Sequence, residues 1–237
     1  MRRVIILFVT AFLLLAACKP KPAKPGEKCR AAGIGSCADS THLIKCVSGT
    51  WLLASCLGPG GCAAASNNRF TCDASIANAG DGCLVPKTSA CAADGKQMLE
   101  CNANKLLFGA DCQGPAGCTV DATTKRIHCD QSISALGATC SDEGKSACVA
   151  EKNAALKCTA GKFVLDSACG GPKACIVDGT IVRCDASVGD VGDACPGAGM
   201  ACSKDAKAAL DCKGGRLSLA KKCKKGCEVK GGDVYCN

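Results

Sequence analysis

Cysteine spacing constrains this chain before any other feature does. Of its 25 cysteines, 24 fall into four groups of six. The first is Cys29, Cys37, Cys46, Cys56, Cys62 and Cys72, and the second is Cys83, Cys91, Cys101, Cys112, Cys118 and Cys129. The third is Cys140, Cys148, Cys158, Cys169, Cys175 and Cys184, and the fourth is Cys195, Cys202, Cys212, Cys223, Cys227 and Cys236. First cysteines stand 54, 57 and 55 residues apart, the mark of an internal repeat. A module of about 45 residues buries too little apolar surface to hold itself and needs staples. Three disulfides closing loops of roughly ten to twenty residues would each contribute about 3 kcal/mol. Six cysteines allow about 15 pairings. Spacing selects none of them and predicts only that one choice recurs in every module.

Other residues repeat in step with the cysteines. Gly26, Gly80, Gly137 and Gly192 stand three before each first cysteine. Ile44, Leu99, Leu156 and Leu210 lie two before each third cysteine, and Gly49, Asn104, Gly161 and Gly215 three after it. Glycine and asparagine tolerate positive φ. Alternate apolar positions follow: Trp51 and Leu53, Leu106 and Phe108, Phe163 and Leu165, Leu217 and Leu219. This pattern predicts a β-hairpin with a bulge at its turn. A bend comes next, CLGPGGC, CQGPAGC and CGGPKAC, shortened to CKKGC in the last copy. A second hairpin is clearest in CIVDGTIVRC, with Asp178-Gly179 as its turn. Asp73, Asp130 and Asp185 follow the sixth cysteines and suit turns or caps. The linkers DASIANAGDG, DQSISALGAT and DASVGDVGDA predict short turns or one helical turn, with Ile76, Ile133 and Val188 docked on a neighbour.

The odd cysteine is Cys18. Arg2 and Arg3 precede an apolar run from Val4 to Ala17, too short for a settled membrane span, which ends in small residues. That is the layout of an export signal over residues 1–17. The quartet Leu15-Ala16-Ala17-Cys18 resembles the lipobox of bacterial lipoproteins at all four positions. The resemblance implies cleavage before Cys18, acylation of that residue and attachment to a membrane. It also implies an exported bacterial lipoprotein, with the outer membrane or cell surface favoured because Lys19, not aspartate, follows. The alternative is an ordinary signal peptide with a cysteine near its end by chance. Residues 19–26, KPKPAKPG, suit an extended, solvated tether.

Cysteine density beside an export signal indicates disulfides in an oxidising compartment rather than metal ligation. The closest pair in the four groups, Cys223 and Cys227, is wider than the Cys-x2-Cys knuckle of zinc sites. The two histidines, His42 and His128, fall at unrelated module positions and suit surface strands. No phosphate loop or catalytic signature stands out, and copied small modules offer no unique cleft for a catalytic constellation. The expectation is therefore no enzyme, no metal and no cofactor.

Net charge is +8 for the whole chain. From Cys195 to Asn237 nine Lys/Arg face four Asp/Glu, while Cys140 to Ala194 has six against eight. The balance does not favour nucleic acid as a partner. One local cluster, Lys221, Lys222, Lys224 and Lys225, is either a solvated lysine group or a basic tip for an anionic partner.

The cysteine order, with a Gly-Lys-aromatic type turn, resembles the family-19 chitin-binding modules of fungal chitinases. CVSGTWLLASCLGPGGC and CTAGKFVLDSACGGPKAC carry the likeness, over some two thirds of each copy and mainly through spacing. It implies stacking of a sugar on Trp51 and Phe163. Leu106 and Leu217 fill that position in the other two copies and supply no ring.

The chain thus reads as a small, disulfide-rich, mainly β protein: four tandem modules of two hairpins each in an elongated array. The modules span residues 27–79, 80–136, 137–191 and 192–237, after a lipidated cysteine and tether over 18–26. The expected role is a membrane-anchored envelope scaffold for structure, adhesion or protein contact, with an array of carbohydrate-binding modules as the alternative. Protease inhibition through exposed bends such as residues 57–61 is the least supported reading. The partner, envelope protein or glycan, is not named by the sequence.

Overall fold

The structure is a computed structural model that describes residues 23–65, 69–179 and 181–237. The expected export signal over 1–17, the expected lipidation site Cys18 and residues 19–22 of the expected tether lie outside the described residues.

Every described element is a strand, and the strands form eight small sheets, two per module. Module 1 has β1 (Gly35–Asp39), β2 (His42–Val47) and β3 (Thr50–Ser55) in one antiparallel sheet, and β4 (Cys62–Ala65) with β5 (Arg69–Cys72) in a hairpin. In module 2, β6 (Ile76–Ala77), β7 (Ser89–Ala92), β8 (Gln97–Asn102) and β9 (Lys105–Asp111) make one sheet. Its hairpin is β10 (Cys118–Val120) and β11 (Ile127–Cys129). Module 3 has β12 (Ser146–Cys148), β13 (Ala154–Thr159) and β14 (Lys162–Ala168), then β15 (Cys175–Asp178) and β16 (Ile181–Cys184). Module 4 has β17 (Val188–Gly189), β18 (Met200–Ser203), β19 (Ala208–Lys213) and β20 (Arg216–Lys222), then β21 (Cys227–Lys230) and β22 (Asp233–Cys236). Each module holds the two expected hairpins, and a further strand lies along the first.

The turn of the first hairpin differs from the expectation. Val47 pairs with Thr50, Asn102 with Lys105, Thr159 with Lys162 and Lys213 with Arg216, leaving two linking residues each time. Both linking residues have positive φ: Ser48 and Gly49, Ala103 and Asn104, Ala160 and Gly161, Gly214 and Gly215. That is the requirement of a tight type I′ turn, whose twist matches the strands without a bulge. The bulge sits at the far end of the hairpin in modules 2 to 4. There Leu99 pairs with Phe108 but Met98 with Ala110, so Gly109 is the extra residue; Asp166 and Ala220 correspond. Module 1 has an unbroken register and a strand one residue shorter. In the second hairpin of module 3, Asp178 pairs with Ile181, so the turn begins at Gly179, not at Asp178.

The linkers hold no helical turn. Ile76 and Ala77 run parallel to β7, Val188 and Gly189 parallel to β18, and Ile133 bridges Cys148 in the same sense. Cys91, Cys148 and Cys202 donate their amides to the carbonyls of Ser75, Ser132 and Ser187, each at 2.8 Å. Each module is therefore bound into the sheet of the next. The residue fully covered is the small one after the aliphatic: Ala77, Ser134 and Gly189 are buried, while Ile76, Ile133 and Val188 are half-buried.

All 24 cysteines of the four groups are paired, within their own modules, and the pattern is the same in each. First joins third (Cys29–Cys46), stitching the lead-in to the middle strand. Second joins fifth (Cys37–Cys62), tying the sheet to the hairpin, and fourth joins sixth (Cys56–Cys72), closing the bend. The apolar filling is thin. In module 3 it is two small clusters, Phe163 with Leu156, Ala147 and the Cys140–Cys158 pair, and Ala155 with Cys148, Cys169 and Cys175. Such dense cross-linking suits a compartment outside the reducing cytosol.

The second-to-fifth bridge should matter most, because it joins strand to strand between the two sheets of a module and closes the longest loop. For Cys148–Cys175 the separation is 27 residues. The paired variant Cys148→Ala/Cys175→Ala is expected to lose about 3.5 kcal/mol by the chain-entropy estimate, read from denaturant unfolding of module 3.

Candidate functional site

The aromatic positions divide on inspection of their surroundings. Phe163 lies opposite Cys158 on the inner face of β14 and is 0% exposed, packed on Ala147, Leu156 and the Cys140–Cys158 bridge. It plugs its module and offers no face to a sugar, which corrects the stacking role expected of it. Leu106 and Leu217 occupy the same inner position in modules 2 and 4. Trp51, their counterpart opposite Cys46, is only half-buried. The exposed ring on these strands is instead Phe108, two residues further on, at 53%. Leu165 and Leu219 are exposed at the same position. Alternation flagged these residues but could not tell which member of each pair the core covers.

Lys221, Lys222, Lys224 and Lys225 are exposed around the short bend of module 4, and none forms an ion pair among the described residues. The structure brings them together with one another but with neither Trp51 nor Phe163. His42 opens β2 with its Nδ1 2.9 Å from Asp39, and His128 is exposed on β11. Among the described residues no group of His, Cys, Asp or Glu is placed to hold a metal ion.

The recurring aspartates build the junctions between modules. Asp73 accepts the Gly60 amide at 3.1 Å on one oxygen, and the Ser75 amide and hydroxyl at 3.2 and 2.5 Å on the other. Asp130 does the same with the amides of Ala116 and Ser132, and Asp185 with those of Lys173 and Ser187. The carboxylate thus latches the proline bend to the start of the linker. Gly58, Gly114 and Gly171 must be glycine for this reason: a Cβ on each would stand 2.1–2.2 Å from an aspartate atom. Module 4 has Asn237 in place of the aspartate, and there backbone bonds join Asn237 to residues 225 and 226 of the short bend.

Three junctions share this latch but differ beside it. Between modules 2 and 3, Gln131 is 1% exposed and its Nε2 donates to the Thr139 carbonyl at 2.9 Å. Between modules 3 and 4 the Ala168 amide reaches the Ala194 carbonyl directly, at 2.9 Å. Between modules 1 and 2 the small Ala74 stands where Gln131 does, and an apolar cleft of about 740 Å³ opens beside it. Leu84, Val85 and Ile127 line it, and Lys125 crosses from module 2 to pair with Asp73 at 3.3 Å. Sequence reasoning missed this cleft. Linker sequence carried no signal for it, because alanine also stands at this place, as Ala186, between modules 3 and 4.

Partial burial pushes the Asp73 carboxyl upward, but the Ser75 hydroxyl, the amides of Gly60 and Ser75 and the Lys125 ammonium outweigh it and hold the group at about 2. Asp130 and Asp185 are likewise held below the ordinary range, burial again opposing the hydrogen bonds that win. A carboxyl depressed on folding stabilises above its unfolded value, near 3.9, and that contribution is lost as pH falls through the folded value. Between about pH 4 and 2 the native chain should lose about 1–2 kcal/mol through Asp73 after allowance for solvent screening. Asp73→Asn should be weaker by a similar amount at pH 7 and lack that step, as read by urea unfolding followed at Trp51. No family model, curated protein or solved structure matches this chain.

Proposed function

We propose that the chain is an exported lipoprotein, held to the cell envelope through acylated Cys18, that serves as a scaffold for contact with other proteins. The observation that carries this reading is the contrast between frame and surface. Disulfides and tight turns recur in all four modules and one kind of linker at all three junctions, while outward positions vary: Phe108, Leu165 and Leu219 are exposed at matching places. A frame kept constant under a varied apolar surface suits partner recognition better than repeated chemistry. The latch aspartates are engaged within the fold, so they are already committed to structure. The twelve bridges support a location outside the cytosol, and the residue after Cys18, Lys19 rather than aspartate, favours the outer membrane or cell surface within this reading.

A glycan-binding role is the second reading, and the half-buried Trp51 is the observation in its favour. One experiment separates the two. The full chain, expressed with a labelled fatty acid, should carry label on Cys18 and lose both label and membrane association as Cys18→Ala. Cross-linking in intact envelopes should then recover a protein partner. Recovery of glycan alone, with retention on chitin or peptidoglycan that Trp51→Ala abolishes, would transfer the proposal to the second reading.

A further inference from the structure

Module 2 departs from the later modules at two places, and both face the cleft it shares with module 1. The first is the pair after its first cysteine. Leu84 and Val85 follow Cys83, where Ser141 and Asp142 follow Cys140 and Pro196 and Gly197 follow Cys195. Val85 is 58% exposed on the cleft wall, an aliphatic side chain largely without cover. The second is the turn of the second hairpin. Val120 pairs with Ile127, so residues 121–126 link the strands. Asp178 pairs with Ile181 and Lys230 with Asp233, which leaves two linking positions in each later copy.

The longer turn is ordered from within. Asp121 accepts the amides of Thr123 and Thr124 at 3.0 and 2.6 Å and the Thr124 hydroxyl at 2.8 Å. Lys125, at positive φ, reaches across the junction to Asp73. Arg126 also lines the cleft, but its side chain is exposed and makes no ion pair or hydrogen bond among the described residues. The carboxylate of Asp73 is already held by Ser75, Gly60 and Lys125. An apolar wall of Leu84, Val85 and Ile127 thus stands beside one uncommitted cation, and every residue lining the cleft is a described one. The cleft between modules 3 and 4, beside Pro196 and Gly197, holds about 280 Å³ and has neither lysine nor arginine in its lining.

We propose that the cleft between modules 1 and 2 binds a small amphipathic acid, its apolar body on Leu84, Val85 and Ile127 and its single carboxylate on the Arg126 guanidinium. A volume of about 740 Å³ falls in the range of small-molecule sites, which favour junctions between units and combine apolar walls with few polar groups. A guanidinium takes a carboxylate through two parallel N–H donors, and an apolar wall beside the pair strengthens it. Lys125 is spent on Asp73, so one negative charge on a ligand is matched and a second is not. The frame is copied from module to module, yet the departures of module 2 gather at this one place. The site goes beyond the scaffold reading and does not depend on it, because cross-linking to a protein can succeed or fail whichever way ligand binding falls.

Sodium decanoate is the probe, titrated into the full chain as Cys18→Ala with its disulfides intact and followed by backbone amide NMR shifts. Saturable shifts should gather at Ser75, Leu84, Val85 and Ile127. Arg126→Ala should weaken decanoate by about tenfold, the order expected for loss of a charge-assisted bond, and leave binding of the neutral alcohol decan-1-ol unchanged. Val85→Asp, which matches Asp142 of module 3, should abolish binding of both. Arg126 and Val85 are exposed, so each variant should keep the fold, seen as an unchanged spectrum away from the cleft. Absence of saturable shifts at the junction overturns the proposal, as does equal affinity of Arg126→Ala and its parent for decanoate. Shifts of the same size around Leu165 and Leu219 overturn it too, since the probe would then be coating exposed apolar surface. So do junction amides that differ between the acylated chain and Cys18→Ala before probe is added, because the chain's own acyl group would be the occupant.

Discussion

The bridge between the second and fifth cysteines is the constraint on which each module rests. A three- or four-stranded sheet whose strands are at most seven residues long and a two-stranded hairpin have too little facing area to hold together by apolar contact alone. In module 4 the shared filling is Ala209 with Cys202, Cys227 and half-buried valines, so sulfur occupies much of what larger side chains fill elsewhere. The bridges therefore act twice, limiting the freedom of the unfolded chain and supplying buried surface in the folded one. Few aromatic residues are needed once the cystines occupy the middle.

Between modules the burden passes to hydrogen bonds. The aspartate latch directs the chain out of one module, and the following aliphatic–small pair enters the sheet of the next. A junction built this way fixes direction through main-chain geometry, so the side chains beside it are free to change. Gln131 fills one junction, the Ala168 amide closes another on the Ala194 carbonyl, and a cleft opens beside Ala74 at the third, with the latch unaltered. Repeat proteins with nearest-neighbour contacts tolerate such variation because a change at one interface is felt only by the two units that share it.

Much of this frame was legible in the sequence. Cysteine sixes gave the modules, and Gly49, Asn104, Gly161 and Gly215 marked turns that need positive φ. The bulge was legible too, but misplaced. Cys46 and Cys56 are ten apart and the corresponding pairs in modules 2 to 4 eleven, and the added residue enters at Gly109, Asp166 and Ala220 rather than at the turn. The disulfide pattern was not legible, because local spacing carries no information on which strands meet. Phe163 was misjudged for a related reason. On a strand whose faces are both partly covered, alternation identifies a face but not the side on which the core lies.

The contrast between Trp51 and Phe163 shows how place in an array alters what one position does. Both lie five residues after a third cysteine and opposite it in the ladder. Phe163 lies in a module whose first strand is bridged by the preceding linker, at Ile133, and it is sealed. Trp51 lies in the module whose first strand ends the sheet among the described residues, and the same position is half-buried. Exposure of a ring here is a property of the neighbour as much as of the residue. An aromatic residue at this position therefore indicates a sugar platform only where no strand is available to cover it.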